Sequence, residues 1–181
     1  MKDNRGFTLI EVIATLVIIG IVAVFAGFGI MEGMTAYFTG KENIAAMQKA
    51  QLTLARLKSE IATMDRILSS GGDSLRFTSY RDDPPQKTYE ISKSGQTITL
   101  SVDGSSHTLM DSAGAGSLFT YYNSNGSAGW TTGNGFQNLK YVEITVGVKK
   151  KDLSGSSAQT IQFTTVAVPR NNGASNAPLP K

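Results

Sequence analysis

Cysteine is absent from the 181-residue chain, which excludes disulfide bonds and thiol chemistry. Histidine occurs once, at His107, inside a strand-like run, where a surface position is far more common than a general base. The serine of Gly72-Asp73-Ser74 lacks a strand–turn–helix setting, and the glycines between 126 and 135 match neither the Walker nor the dinucleotide-binding pattern. We therefore predict no enzymatic activity and no cofactor.

Densely spaced oxygen ligands and a concentrated basic surface are also missing. The net charge is only +3, and the basic residues are scattered apart from Lys149-Lys150-Lys151. That run is typical of a solvated strand end rather than of a binding patch. Neither a metal site nor a nucleic-acid partner is predicted.

Charge is lacking from Val12 to Met31, and no proline precedes Pro84. As a helix, about twenty residues span roughly 30 Å, which is the thickness of the hydrocarbon core of a bilayer. Lys2 and Arg5 precede this segment, so the positive-inside bias predicts a cytoplasmic N-terminus and an exported remainder.

A carboxylate at Glu11 stands at the start of this apolar run, where a charge is costly and needs an explanation. A secretory signal would have a shorter apolar core, and Val24-Phe25-Ala26 is only a weak cleavage site. A simple membrane anchor fits the length but leaves Glu11 unexplained. A further alternative is that Glu11 lies near the membrane interface and is stabilised only by the positive end of the helix dipole.

The segment Met1–Glu11, with its charged leader, Gly6-Phe7 junction and acid, resembles the leader of type IV prepilins and of the pseudopilins of type II secretion. The resemblance implies that a membrane prepilin peptidase cuts between Gly6 and Phe7 and methylates the new N-terminus at Phe7. It also implies that Glu11 pairs with the N-terminal ammonium of a neighbouring subunit. A glycine before the cut suits close approach of the backbone to a peptidase.

Helical spacing of apolar residues continues beyond the membrane segment, and Ser69-Ser70-Gly71-Gly72 is expected to end the helix. Glycines at 20, 27, 29 and 33 weaken its first half, either for close helix packing or for local melting during assembly. The stripe expected to face a sheet comprises Ile44, Met47, Leu54, Leu57, Ile61, Met64 and Leu68. The predicted divisions are a leader (1–6), a transmembrane or filament-core helix (7–33), an amphipathic helix (34–70), an antiparallel β head (71–168) and a flexible tail (169–181).

Short β-rich runs separated by turn residues follow Gly72, so an α+β fold is predicted, with a mostly antiparallel meander on the helix stripe. Lys93-Ser94-Gly95 and Asp103-Gly104 are predicted hairpin turns. Trp130 and Phe136 lie in a polar loop, and we expect them to fold back on the core rather than form a contact surface. The predicted strands cover 75–80, 88–92, 96–102, 106–110, 118–122, 139–149 and 159–168.

The head most resembles the J-type minor pseudopilin and related minor pilins, through Ala55–Ile61 and Val166–Asn171. Unlike many major subunits, the helix has no proline, which favours a minor subunit, and retention of Glu11 places the chain below the tip of a filament. The resemblance implies as partners the prepilin peptidase, other pilins and the assembly platform of the inner membrane, with the head in the periplasm. Calcium stays open, since the major pseudopilin binds it. A competence or adhesion pilus subunit, or a membrane-tethered binding module without a filament, are the alternatives.

Overall fold

The computed structural model describes residues 8–79, 81, 86–152 and 157–170. The leader, Gly6, Phe7 and the tail from 171 onward lie outside this range. The chain divides into two units, one up to Glu42 and one from Asn43 onward. The second unit, which we call the head, contains every buried apolar residue from Ala50 to Ala167 and therefore has a complete core of its own.

One long helix, α1, runs from Leu9 to Ala62, and α1 passes through both units. Its second half is rich in alanine, leucine, lysine and glutamine, which are strong helix formers. Within the head, α1 buries residues three or four positions apart, as one face of a helix requires. These residues are Ala50, Thr53, Leu54, Leu57, Glu60 and Ile61.

The helix ends six residues before the predicted end at Leu68, and the amphipathic-helix prediction for 63–70 was wrong. The Thr63 amide donates to the Glu60 carbonyl at 3.1 Å, and the Arg170 amide donates to the Ala62 carbonyl at 3.2 Å. These bonds satisfy carbonyls that the last helical turn would leave unpaired. The chain then enters strand β1, in which Met64 is fully buried and Leu68 is 45% exposed. Ile44 is 58% exposed, so the buried stripe also begins later than predicted.

In the described part of the chain, eight strands form two antiparallel sheets rather than the single meander predicted. The first sheet has the order β1-β2-β3-β4-β5 and the second has the order β6-β7-β8. The α+β class and the helix-on-sheet packing are confirmed. The strands are β1 (Met64–Ser70), β2 (Ser74–Ser79), β3 (Thr88–Ser94), β4 (Thr97–Val102), β5 (Ser105–Met110), β6 (Phe119–Asn123), β7 (Leu139–Lys151) and β8 (Ser157–Ala167).

The two sheets meet where Gly71-Gly72-Asp73 faces the start of β6. The amide of Leu118 donates to Asp73 Oδ1 at 3.0 Å, and the Phe119 amide donates to the Gly72 carbonyl at 2.8 Å. The Tyr121 hydroxyl donates to the Gly71 carbonyl at 3.0 Å. Burial raises the pKa of Tyr121 above its ordinary range, because the ionised phenol would lose its hydration.

Candidate processing and assembly site

The described part of the predicted processing site begins at Thr8, directly after the Gly6-Phe7 junction. Thr8 precedes the first helical residue, and Glu11 is the third residue of α1. The Glu11 amide lies 3.4 Å from the Thr8 hydroxyl, and the Thr8 amide lies 3.4 Å from Glu11 Oε2. This reciprocal arrangement is a capping box, which satisfies two amides that have no partner within the helix. The sequence interpretation overlooked it, although Thr-x-x-Glu is its usual signature.

Both contacts of the capping box are long for hydrogen bonds, and Thr8 and Glu11 are both exposed. The Glu11 carboxylate therefore has a local partner in the amide of Thr8, but no cation lies in contact with it among the residues that the structure describes. An exposed carboxylate held so weakly can exchange its partner at little cost. The sequence placed Glu11 at this site, and the structure adds that it also starts the helix.

The surface of α1 is exposed on every side from Leu9 to Phe38, and between Glu11 and Glu32 it carries no charged residue. Leu9 is 80% exposed, Phe25 is 72% exposed, and even Val12, the least exposed large apolar residue of the segment, is 44% exposed. A helix that is apolar all round is stable only when lipid or other helices surround it. By length and composition, α1 can cross a membrane.

Polar side chains within this apolar segment bond to their own helix. The Thr15 hydroxyl donates to the Val12 carbonyl, and the Thr35 hydroxyl donates to the Met31 carbonyl, each at 2.9 Å. Such bonds let a hydroxyl enter lipid without an unsatisfied donor. The uncharged stretch from Val12 to Met31 is therefore compatible with a hydrocarbon environment.

The glycines of the segment do not interrupt α1. At Gly20, Gly27, Gly29 and Gly33, an added Cβ would meet no atom within 4 Å. No contact inside the subunit therefore requires glycine at these positions. Close approach of a neighbouring helix would require it, and so would local unwinding, so both interpretations of these glycines stay open.

The aromatic loop of the head turns inward, as predicted. Trp130 is 3% exposed, its indole N–H donates to the Gly135 carbonyl at 3.0 Å, and its ring lies 6.0 Å from the ring of Tyr121. Phe136 packs against the core while partly exposed. These two aromatic residues therefore hold the loop on the sheet and do not form a contact surface.

Among the described residues of the head, Glu60 is the one buried charged group, and the sequence interpretation missed it. Glu60 is fully buried between Arg56 Nη2, 2.7 Å from Oε1, and Arg81 Nη2, 2.9 Å from Oε2. The Arg81 guanidinium donates a hydrogen bond to Oε2, but the Arg56 contact is an ion pair without hydrogen-bond alignment. A hydrogen bond with Tyr89 and the charge of Glu60 raise the pKa of Arg81. This cluster joins α1 to the part of the chain before β3.

The remaining candidate groups lie where the sequence placed them. His107 is exposed on β5, and Lys149-Lys150-Lys151 forms the exposed end of β7. Within the described ranges, no cluster of three or more histidine, aspartate or glutamate residues could hold a metal ion.

Comparison with known proteins gives a match at the start of the chain. No curated protein and no solved structure matches the chain. Residues 1–27 match the family described as the prokaryotic N-terminal methylation motif, which is the prepilin leader. This match covers the Gly6-Phe7 junction, Glu11 and the first half of the apolar segment, and it supports a pilin or pseudopilin subunit of the type IV pilin superfamily.

Proposed function

We propose that the protein is a minor pilin or minor pseudopilin, a structural subunit that primes or caps a thin filament assembled from the inner membrane. The observation that carries the proposal is the coincidence of the methylation motif at 1–27 with a helix that is apolar and exposed all round. Lipid can cover that surface before assembly, and the helices of neighbouring subunits can cover it afterwards.

In this proposal, the prepilin peptidase cuts after Gly6 and methylates Phe7. The cut removes Lys2 and Arg5 and leaves an ammonium group on Phe7, directly before the capping box of Thr8 and Glu11. Hydrolysis of the Gly6–Phe7 amide gives a carboxylate on the leader and an amine on Phe7. The amine nitrogen then attacks the methyl group of a sulfonium methyl donor, which leaves as a thioether while the nitrogen releases a proton. The orientation follows from the positive leader: the N-terminus lies in the cytoplasm and the head in the periplasm.

Glu11 is proposed to pair with the ammonium of a neighbouring Phe7 during assembly. In a low dielectric the attraction between these charges is strong, but desolvation of both groups offsets much of it. The gain is therefore chiefly in register, because a misplaced subunit would leave its carboxylate unpaired among apolar helices. The weak capping-box contacts of Glu11 support this role, since they cost little to replace.

Within this class we infer a J-type minor pseudopilin from the resemblance of the head to that subunit. Because the chain retains Glu11, we also infer a position below the filament tip. A competence or adhesion pilus subunit has the same leader and helix. A membrane-tethered binding module without a filament is the second class of function, and it requires neither cleavage at Gly6 nor a carboxylate at position 11.

Processing is tested with Gly6→Val in cells that express an active prepilin peptidase. The wild-type chain should appear as the processed form, with N-methylated Phe7 as its first residue by mass spectrometry. The variant should migrate as the longer precursor, because the valine side chain blocks close approach of the backbone. A wild-type chain that retains Met1 under these conditions would contradict the proposal and favour a simple tether.

Assembly is tested with Glu11→Ala, with Glu32→Ala as the matched control. Both acids lie exposed on α1, but only Glu11 belongs to the methylation motif. Processing should be normal in both variants, while filament incorporation falls at least tenfold in Glu11→Ala alone. Thr8→Ala removes one half of the capping box and separates helix capping from subunit pairing. Equal incorporation of Glu11→Ala and the wild type would remove the assembly role from Glu11.

A further inference from the structure

Among the residues that the structure describes, the two sheets of the head have four edge strands, and three of these edges are protected. Strand β1 has two register shifts and carries Asp65 and Arg66. At β5, which has six residues, the Thr53 hydroxyl of α1 donates to the Leu109 carbonyl at 3.3 Å. Strand β6 has five residues and pairs with Ala128 of the following loop. Bulges, charges, short length and coverage are the usual means by which proteins prevent addition of a further strand.

The fourth edge, β8, has none of these protections over most of its length. It has eleven residues, and its pairing with β7 is regular from Val142↔Ala167 to Lys150↔Gln159. No charged residue and no proline occurs from Ser157 to Val168. In the part of the chain that the structure describes, β8 pairs only with β7. Its outer edge therefore presents a row of backbone donors and acceptors without protein partners.

The side chains along β8 are also incompletely covered. On one face, Phe163 packs against the core but is only partly buried, and Ile161 is also only partly buried. On the other face, Val166 is 41% exposed, and Val168, just beyond the strand, is 50% exposed. A strand added beside β8 would cover both faces at once, because neighbouring strands place their side chains in contact.

We propose that the outer edge of β8 is a strand-addition site, which takes an extended, uncharged segment rich in threonine, valine and isoleucine from a different subunit of the same assembly. Main-chain hydrogen bonds supply the affinity, and the half-covered apolar side chains favour apolar neighbours. A charged partner strand would lose hydration beside Ile161 and Phe163 without gaining a counter-charge. This inference rests on the proposed function for the origin of the partner, but not for the existence of the site.

The direction of β8 favours a different subunit over a second copy. The side-chain amide of Asn43 donates to the Lys151 carbonyl, and the side-chain oxygen of Asn43 accepts from the Lys151 amide, each at 2.9 Å. Lys151 in turn pairs with Ser157 at the start of β8. At the other end of β8, Arg170 bonds to Ala62. Strand β8 thus runs in the same direction as residues 43–62 of α1. If two copies paired through β8 in the more stable antiparallel arrangement, their Asn43 residues would lie at opposite ends of the strand pair. Their helices would then enter the heads from opposite directions, which is impossible for two subunits that are anchored in the same membrane.

The test uses a head fragment that begins at Thr35, since the head contains a complete core, and a synthetic peptide with the sequence of residues 157–168 as the probe. The peptide has the required chemistry, and without a helix attached it can pair in either direction. Amide hydrogen exchange is measured by NMR with and without the peptide. We expect alternate amides of β8, those that face outward, to exchange at least tenfold more slowly with the peptide. The other β8 amides should not change, because they already donate to β7.

Two controls make the result decisive. A peptide with proline at two alternate positions cannot donate its hydrogen bonds and should give no protection. In the head, Gln162→Lys places a charge on the proposed edge and should weaken peptide binding at least fivefold, while Ser106→Lys on the β5 edge should not.

Absence of protection, protection outside β8, or equal binding of the proline peptide would overturn the proposal. In membranes, disulfide cross-linking of two copies of the full-length chain through cysteines introduced in β8 would also overturn it, since a second copy would then be the occupant.

The strand-addition site and the proposed function can fail separately. If the peptide binds at β8 but the leader is never processed, the strand-addition site stands and its partner is not a filament subunit. If processing and dependence on Glu11 hold but β8 gains no protection, the subunit assignment stands and this inference falls. In cells, Gln162→Lys should keep normal processing and reduce filament incorporation, whereas Ser106→Lys should change neither.

Discussion

Removal of both arginines around Glu60 should destabilise the head far more than removal of Glu60 itself. Glu60 is fully buried, whereas the side chains of Arg56 and Arg81 are 56% and 48% exposed. In the variant Arg56→Met/Arg81→Met, the carboxylate stays buried without a counter-charge. Loss of the partner of a buried charge typically costs about 3–5 kcal/mol. Because 1 kcal/mol moves the Tm of a domain of this size by about 3–5 °C, the Tm should fall by about 10–20 °C.

The converse variant, Glu60→Met, should leave the free energy of unfolding within about 1 kcal/mol of the wild type or above it. Methionine fills a similar volume, and both half-exposed guanidinium groups can return to water. Arg81 also keeps its hydrogen bond with Tyr89. The single variant Arg81→Met should fall between these limits, because Arg56 stays 2.7 Å from the carboxylate.

Urea unfolding of the head fragment, followed by circular dichroism, measures all of these variants. The two arginines share one carboxylate, so their separate effects should sum to less than the effect of the double variant. The reasoning would be refuted if Glu60→Met destabilised the head as much as the double-arginine variant. That result would mean that Glu60 stabilises the head through a net favourable ion pair rather than through avoidance of an unpaired charge.

Three further predictions concern a tyrosine and two glycines. Burial raises the pKa of Tyr121, so the unfolded chain loses this proton first, above about pH 10, and head stability should fall as pH rises beyond that value; Tyr121→Phe should reduce this slope in urea titrations and cost about 1 kcal/mol at neutral pH. A Cβ at Gly114 would lie 2.7 Å from Thr160 Cγ2 and 3.1 Å from backbone of Gly147, so Gly114→Ala should cost about 1–3 kcal/mol by the same assay, whereas Gly133→Ala should have little effect. Gly27→Ala should leave processing unchanged but reduce filament yield on gels, because the added methyl group has space within the subunit and none between closely packed helices.

The strands could be predicted closely because their signals are local. The predicted strands 88–92 and 96–102 correspond to β3 and β4 within two residues at each end. The turn between β4 and β5 contains Asp103 at φ 48° and Gly104 at φ 86°, the left-handed conformations that Asp-Gly favours. The alternation of apolar residues and the choice of turn residues are encoded within a few positions, so they predict these strands and turns correctly.

The end of α1 and the division into two sheets depend on distant partners, and the sequence does not show them. Met64 and Leu68 have helical spacing, but β1 gains a full strand pairing with β2, which outweighs local propensity. The second sheet begins where Leu118 and Phe119 bond to Asp73 and Gly72, more than forty positions earlier in the chain. No local pattern marks such a contact.

Glu11 and Glu60, both in α1, show why one residue of the assembly site could be identified from the sequence and a core residue could not. Glu11 stands alone in an apolar run, so its cost is visible in the sequence. Glu60 lies among lysine, serine and arginine, as most solvated glutamates do, and only the return of Arg81 from a later part of the chain shows that it is buried.

The same comparison supports different roles for these two carboxylates. Glu60 is held by two guanidinium groups at 2.7 and 2.9 Å and is fully buried, so any exchange of partner would first expose it. Glu11 is exposed and has contacts of 3.4 Å within its own capping box, so a stronger cation can take it over without disturbance of a core. If Glu11 served only as a helix cap, Glu11→Gln would keep most of its function, since glutamine also completes a capping box. If it pairs with a neighbouring ammonium, Glu11→Gln should lose assembly as Glu11→Ala does, and that contrast separates the two roles.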